Sequence, residues 1–388
     1  MKIAIFSDTF PPQINGVSNV VYRSSIALAR RGHDVRIFTV GCSEKDNPKI
    51  LFADAPGGRA SVVFLPSIPF WGYSGERITL PLGFAMNKIR KFRPDVIHTH
   101  TPFGVGWEAV FAAKMLKIPL FGTHHTFYDH YLKLIHLDYN LVKIFSWRYT
   151  VAYYNRCDVI LSPSQSLAEV LKSYGVVRSL KILPNSINTD FFHPIVDGAL
   201  QKKSKNTSTI AGQTLIYIGR VSYEKSIDII IRALAAALQN LSHLQLIIVG
   251  DGPARIDLEK LTRDLGVETN VRFLGFCRGS DLLEVLWRGD IFLTASKSEN
   301  MPISILEAMA AGLPIIGVDA LGVPEIVKDG LNGFIVAPDN PDLMAQKIVE
   351  LAGNNDLRNN FASASRELAL NYAEDKITWL LEDIYQNK

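Results

Sequence analysis

The sequence predicts an α/β protein of two doubly wound, parallel-sheet (Rossmann-like) domains that face each other across a cleft. Three observations predict it. Short apolar segments recur along the chain with helical sequence between them, the pattern of parallel strands buried on both faces. The alternation stops in a polar, aperiodic stretch, VDGALQKKSKNTSTIAGQ (196–213), and then restarts. The 388 residues, 47% apolar and 20% charged, suffice for two cores of ordinary size.

In the first half, KIAIFSD (2–8) reads as a strand, followed by a helix with Val17, Val20, Val21 and Leu28 on one face and Gly32 at its end. The strands DVRIFTV, PDVIHTH (94–100), IPLFGTHH (118–125), CDVILSPS (157–164) and LKILPNS (180–186) follow. After the break come TLIYIGR (214–220), LQLIIVGDGP (244–253), VRFLGF (271–276), DIFLTAS (290–296), PIIGV (314–318) and GFIVAP (333–338). The expected domains are 1–195, completed by a C-terminal helix at 372–388, and 196–371. Ligands of such sheets bind at the carboxyl ends of the strands.

Composition narrows the function. MKIAIFSD does not read as a signal peptide, and no apolar run is long enough to span a bilayer. Cys42, Cys157 and Cys277 form no metal spacing and no disulfide framework, so a reducing cytoplasm is the expected compartment. The net charge of +3 is uneven: residues 1–190 hold 22 Lys/Arg against 13 Asp/Glu, and the remainder 19 against 25. A basic first half suits an anionic surface, and no nucleic-acid-binding motif accompanies it.

Three loops carry candidate chemistry. In FPPQINGV, Gly16 can take a positive φ and lets backbone approach a ligand closely, with free helix amides beyond it; an ordinary turn between strand and helix is the plainer alternative for this loop alone. In GRVSYEKS, Arg220 and Lys225 offer a fork and a point charge to phosphate oxygens; two loop cations on a solvated surface are the plainer alternative. In SENMPISILEAMAAG (298–312), Pro302 suits a helix start whose amides favour an anion, and Glu307 lies about one turn in, able to grip a vicinal diol. Glu299 would reach another hydroxyl-bearing group. Plain dipole compensation by acids near a helix start is the competing explanation.

The segments GRVSYEK, LIIVGDGP, VRFLGF and SENMPISILEAMAAGLPIIGVDALGVPEIV…NGFIVAP, with PQINGVSNVV and PNSINTDFF before them, resemble the family-4 retaining glycosyltransferases over nearly the whole chain. The resemblance implies a nucleotide-diphosphate sugar as donor and no metal or other cofactor. It places Arg220 and Lys225 on the diphosphate, Glu307 on the ribose, Glu299 on the donor sugar, and Gly16, Gly252, Met301 and Ile303 around the donor. Where most members have Gly-Phe-Gly after this glutamate, the chain has Asn300-Met301-Pro302, and Pro302 lacks one amide. His125 matches the histidine that contacts donor sugar and acceptor, so His125, Glu299, Arg220 and Lys225 form the expected catalytic set.

The segment HTFYDHYLK resembles that of bacterial diacylglycerol glucosyltransferases, so His125, Thr126, Tyr128 and Asp129 are the expected acceptor residues. A metal is not expected there, because adjacent His124 and His125 point apart on an extended chain. His98 and His100 read as structural or loop-ordering. FAMNKIRKFRP reads equally as a membrane-docking basic helix or as a core helix with solvated lysines, PSIPFWGY (66–73) as an apolar loop, and YNLVKIFSWRYTVAYY (139–154) as a core helix. The expected activity is hexose transfer, from UDP-glucose by preference, to a membrane lipid such as diacylglycerol, at the cytoplasmic face of a membrane. The rivals are transfer from GDP-mannose to a soluble acceptor, a nucleotide-sugar epimerase, and a non-catalytic nucleotide-sugar or lipid binder.

Overall fold

The computed structural model describes residues 1–13, 15–41, 59–69, 77–125, 139–195 and 213–387. The chain forms two compact units, Met1–Ser186 with Glu374–Lys388, and Ile187–Ala373.

The first unit runs β1 (Lys2–Phe6), α1 (Gly16–Arg30), β2 (Asp34–Val40), β3 (Arg59–Leu65), the short antiparallel pair β4 (Ile68–Pro69) and β5 (Arg77–Ile78), α2 (Met86–Phe92), β6 (Val96–Thr99), α3 (Gly104–Leu116), β7 (Leu120–Thr123), α4 (Asn140–Tyr154), β8 (Val159–Ser162), α5 (Gln165–Ser173) and β9 (Ser179–Ile182). Its sheet is parallel, in the order β3-β2-β1-β6-β7-β8-β9. The order reverses between β1 and β6, and the loops after these strands open at that switch point. Ile3, Ile5, Val35, Ile37 and Phe121 are buried in the unit's core. Asn15 caps α1, its side chain accepting from the Ser18 amide at 2.8 Å.

The second unit runs β10 (Thr214–Ile218), α6 (Ile227–Ala237), β11 (Gln245–Val249), α7 (Arg255–Asp264), β12 (Val271–Gly275), α8 (Ser280–Arg288), β13 (Ile291–Leu293), α9 (Ile303–Ala310), β14 (Ile315–Val318), α10 (Val323–Ile326), β15 (Gly333–Val336), α11 (Pro341–Gly353) and α12 (Asn355–Ala369). Its parallel sheet has the order β12-β11-β10-β13-β14-β15, so β10 holds the same central place as β1.

The final helix, α13 (Glu374–Gln386), belongs to the first unit. Leu381, Ile384 and Tyr385 join that core. Arg31 donates to both oxygens of Glu382, at 2.7 and 2.8 Å, and His33 Nε2 lies 2.7 Å from one of them. Burial pushes the Glu382 carboxyl up, but the hydrogen bonds from Arg31 and His33 outweigh it and hold the group below its ordinary value.

Residues 187–195, grouped with the first domain by the sequence pattern, pack on the second unit. Ile187 and Phe192 are buried in its core. The Arg366 guanidinium donates to the carbonyls of Thr189, Phe192 and Ala310, and the Trp287 indole to that of His193. Residues 196–212 of the expected linker lie outside the described residues.

One surface alternative is settled and one expectation is corrected. On α2 the core alternative holds: Met86, Ile89 and Phe92 are buried, with Arg36 over the Phe92 ring at 4.2 Å, while Lys88, Arg90 and Lys91 face solvent; Phe84, ahead of the helix, is exposed. On α4 only one face is core: Trp147, Thr150, Tyr153 and Tyr154 are buried, while Leu141, Ile144 and Phe145 are exposed. The loop at 66–73 is described only as far as residue 69. Among the described residues, no helix is long and apolar enough to cross a membrane.

Candidate active site

In the second unit the site grows from the exit of β10. The turn Gly219-Arg220-Val221 packs against the loop after β11: the Val221 amide donates to Asp251 O at 3.0 Å, and the Ala254 amide to Val221 O at 3.1 Å. A Cβ on Gly252 would lie 2.3 Å from Val221 O, and one on Gly250 1.9 Å from Gly219 O, so these glycines are what let the loops meet. Gly252 therefore supports the loop that carries Arg220. Arg220 itself is exposed, and a short 3-10 turn, Tyr223–Lys225, follows.

That turn aims Lys225 at Glu299, with Nζ 2.5 Å from Oε1 and both side chains mostly covered. The two residues stand 74 positions apart in sequence, and the fold brings them together. Glu299 is fixed by its own backbone, whose carbonyl accepts from the Gly322 amide at 3.0 Å. A Cβ on Gly322 would fall 1.5 Å from Asn300 O, so only glycine fits there. The buried Tyr217 hydroxyl donates to Arg220 O at 3.1 Å. Its phenol is pushed well above its ordinary value by burial and then by the nearby carboxylates of Glu299 and Glu224. Lys225 and Glu299 thus meet, and the backbone of the Arg220 turn is tied to the same neighbourhood through Tyr217.

Helix α9 starts beside it. Pro302 is the N-cap residue, in extended backbone, and the helix begins at Ile303. The missing proline amide therefore falls ahead of the helix, and the first-turn amides from Ile303 onward remain available to an anion. Met301 is buried and Ile303 half-buried. Glu307 is 7% exposed and lies beyond the first turn, so it is no solvent-facing dipole compensator. A buried carboxylate on the face of a helix can accept paired hydroxyls.

In the first unit, Gly16 is the first residue of α1 and does not use the positive φ open to it; a Cβ there would meet nothing within 4 Å. The absent side chain leaves open space at the helix start, and Asn15 supplies the turn. Asp8, at the exit of β1, accepts from the Thr101 hydroxyl at 2.6 Å and from the Val105 amide at 2.9 Å, tying β1 to the start of α3.

Four histidines gather at the ends of β6 and β7. His98 bridges the Tyr385 hydroxyl (2.6 Å) and the Thr123 hydroxyl (2.7 Å), so it is structural. His100 Nδ1 lies 2.9 Å from His125 Nε2, and their rings stack with centroids 5.2 Å apart. His124 points elsewhere, edge-on to Tyr154 at 5.0 Å. The 98-x-100 alternation carried no hint that His100 would hold His125, because the two are joined only when β6 and β7 pair. Among the described residues no group of His, Cys, Asp and Glu has a metal-holding arrangement. Thr126, Tyr128 and Asp129 lie outside the described residues.

Burial holds these rings neutral. It lowers His125 from 6.5 to about 4; burial and then the His125 imidazole together bring His98 and His124 to about 3, and burial, with His98 and His125, lowers His100 well below its ordinary value. In the unfolded chain the same rings protonate near 6.5. Between pH 6.5 and about 4 the unfolded state therefore binds more protons, and stability falls as pH drops, by up to about 1.4 kcal/mol per pH unit for each ring held neutral. Calorimetry is expected to show the melting temperature falling steadily across that range; a flat profile contradicts the buried cluster.

Residues 14–191 match Glycosyltransferase Family 4, and residues 201–368 match Glycosyl transferases group 1. The chain is a glycosyltransferase of this family, built from two Rossmann-like domains. It is 28% identical over 378 residues to the alpha-monoglucosyldiacylglycerol synthase of Streptococcus pneumoniae, covering 92% of this chain and 83% of that one. It is also 28% identical to the GDP-mannose-dependent alpha-mannosyltransferase of Corynebacterium glutamicum, over 87% of this chain and 76% of the relative. Its fold is that of Anabaena HepE, solved in complex with UDP, with a TM-score of 0.82 at 19% identity over the whole of both chains.

Proposed function

We propose that this glycosyltransferase moves a hexose, with retention, from UDP-glucose to a hydroxyl of a membrane lipid such as diacylglycerol. The observation that carries the donor half is the contact of Lys225 with Glu299, on the loop that leads into α9 with its free first-turn amides and the buried Glu307. As the bond from the sugar C1 to the leaving oxygen lengthens, negative charge grows on the diphosphate. Arg220, Lys225 and the helix-start amides meet that charge and are worth more in the transition state than in the ground state. Those groups supply the positive charge the reaction needs, so the reading requires no metal. Glu307 holds the ribose hydroxyls, Met301 and Ile303 line the donor, and Glu299 faces the hexose.

On the acceptor side, His125 is held by His100 and offers a neutral, oriented imidazole to a hydroxyl. Thr126, Tyr128 and Asp129 complete the acceptor set, and Gly16 leaves room for the donor phosphate. The lipid acceptor is supported by the name of the pneumococcal relative. GDP-mannose is the second donor reading, favoured by the mannosyltransferase relative alone.

A thermal-shift panel of UDP-, GDP- and ADP-sugars tests the donor. A ligand at about a hundred times its Kd adds about 2.7 kcal/mol, so UDP-glucose is expected to raise the melting temperature by about 5 °C or more and GDP-mannose by much less. UDP-glucose with diacylglycerol is then expected to yield a glucolipid with the α linkage of the donor. Consumption of UDP-glucose to an isomeric nucleotide sugar without acceptor would mean an epimerase instead, and a β-linked product would refute retention.

A further inference from the structure

The first unit carries an exposed apolar surface, and its chemistry says what covers it. On α4 the core-facing residues are Trp147, Thr150, Tyr153 and Tyr154. The residues left outside are Leu141 (80% exposed), Ile144 and Phe145 (70%), at the i, i+3, i+4 spacing of a single helix face, with Arg148 next along it. Tyr149, one turn after Phe145, accepts a hydrogen bond from the Trp107 indole at 2.6 Å and donates one to the Pro102 carbonyl.

Trp107 opens a second column. Phe111 and Met115 follow it at one-turn intervals on α3, and both are exposed. The turn before α2 is pinned to the same helix: the buried Glu108 carboxylate accepts the amides of Gly83, Phe84 and Ala85. That turn holds out Leu80 and Leu82, the latter 69% exposed, and a Cβ on its Gly83 would touch the Phe111 ring at 3.5 Å. So α3 is a strut to which both α4 and the 80–84 turn are bonded, and it holds out Phe111, beside that turn, and Met115.

Along the two described stretches bonded to this strut the charge has one sign. From Arg77 to Arg93 the sequence holds five cations (Arg77, Lys88, Arg90, Lys91, Arg93) and no Asp or Glu. From Tyr139 to Arg156 it holds Lys143, Arg148 and Arg156 and again no acid. The one acid of α3, Glu108, is buried and already bonded to the turn. Isolated apolar residues on a surface need no explanation, but ridges of them, framed by cations without a carboxylate, do. A second copy of the chain fits poorly, because a two-fold contact would set these cations against their own images.

We infer that this surface, with α4 as its leading element, seats the enzyme on an anionic lipid leaflet. Leu141, Ile144 and Phe145 enter the interfacial layer, and Lys143, Arg148 and the α2 cations lie among the headgroups. The inference rests on the lipid-acceptor reading above and names the contact through which such an acceptor is reached. It also moves the docking element from the basic helix α2, whose apolar face is core, to α4.

The test is sedimentation of the full chain with vesicles of phosphatidylcholine alone or with about 30 mol% phosphatidylglycerol, at low ionic strength and at about 0.5 M salt. The wild type is expected to pellet with the anionic vesicles at low salt and to be largely released at high salt. The double variant Leu141→Ser, Phe145→Ser is expected to lose at least about tenfold in vesicle affinity while keeping its melting temperature, since neither side chain is in the core. Its transfer to a short-chain, detergent-dispersed acceptor stays at the wild-type rate. Undiminished vesicle binding by the variant, or no binding by the wild type, overturns the inference. So does a wild-type dimer that the variant converts to monomer, which would assign the face to self-association. Vesicle binding without any nucleotide-sugar binding would instead sink the transferase reading and leave this surface standing.

Discussion

Replacing Lys225 by alanine is expected to lower kcat/KM by about 10²–10³-fold, the usual loss when one charge-stabilising group of a preorganised site is removed. The reason is local. Lys225 is mostly covered and already held 2.5 Å from Glu299, so it waits in place for a phosphate and needs little reorganisation when charge develops there. Most of the loss is expected in kcat. Folding changes little by comparison: a partly exposed ion pair contributes at most about 1 kcal/mol, so the melting temperature falls by no more than about 3 °C. Lys225→Arg keeps the charge but not the compact point geometry, and should recover only part of the rate. Steady-state kinetics beside a melting curve checks both halves. A variant with normal kcat would remove Lys225 from the leaving-group site.

The second large effect is expected at Glu307. Glu307→Gln keeps the volume of a buried residue and removes its charge. Hydrogen bonds to a charged acceptor are worth about 1.5–3 kcal/mol, so the KM for the donor should rise by about 10–100-fold. The ribose is remote from the breaking bond, so kcat should change by no more than a small factor; uniform binding lost from ground and transition state alike gives that split. A variant with KM unchanged and kcat reduced would place Glu307 at the chemistry instead.

The sequence reads well wherever one interaction repeats. Both parallel sheets were legible because buried strands such as TLIYI and QLIIV are apolar throughout. Strand β3 was not: RASVVFL is a half-buried edge strand, without the continuous apolar run of the central strands. The helices mark another limit. Met86, Ile89 and Phe92 recur at the spacing of a helix face, but spacing does not say whether that face meets a sheet or a bilayer, and in α2 it meets the sheet. The aromatic run of α4 suggested core, and only the fold reveals that Trp147 points in while Phe145 points out.

The site shows the same division. Arg220, Lys225, Glu299 and Glu307 were recognisable one by one, from loop position and family pattern. That Lys225 and Glu299 touch, and that Gly322 is needed to let the Glu299 loop close, follow from contacts distant in sequence. The conformational freedom that Gly16 offers is not used, because its place at the start of α1 needs no positive φ. His100 was read as structural, and its bond to His125 gives it a part in orienting the imidazole at the candidate acceptor site.

The central claim is that Arg220, Lys225, the first amides of α9 and Glu307 hold a nucleotide-diphosphate hexose. A crystal structure of the chain soaked with UDP-glucose tests it most directly. The account predicts diphosphate oxygens within about 3 Å of the Arg220 guanidinium and the Lys225 ammonium, with ribose hydroxyls on the Glu307 carboxylate. A nucleotide bound elsewhere, or bound here with both cations turned away from its phosphates, would contradict it.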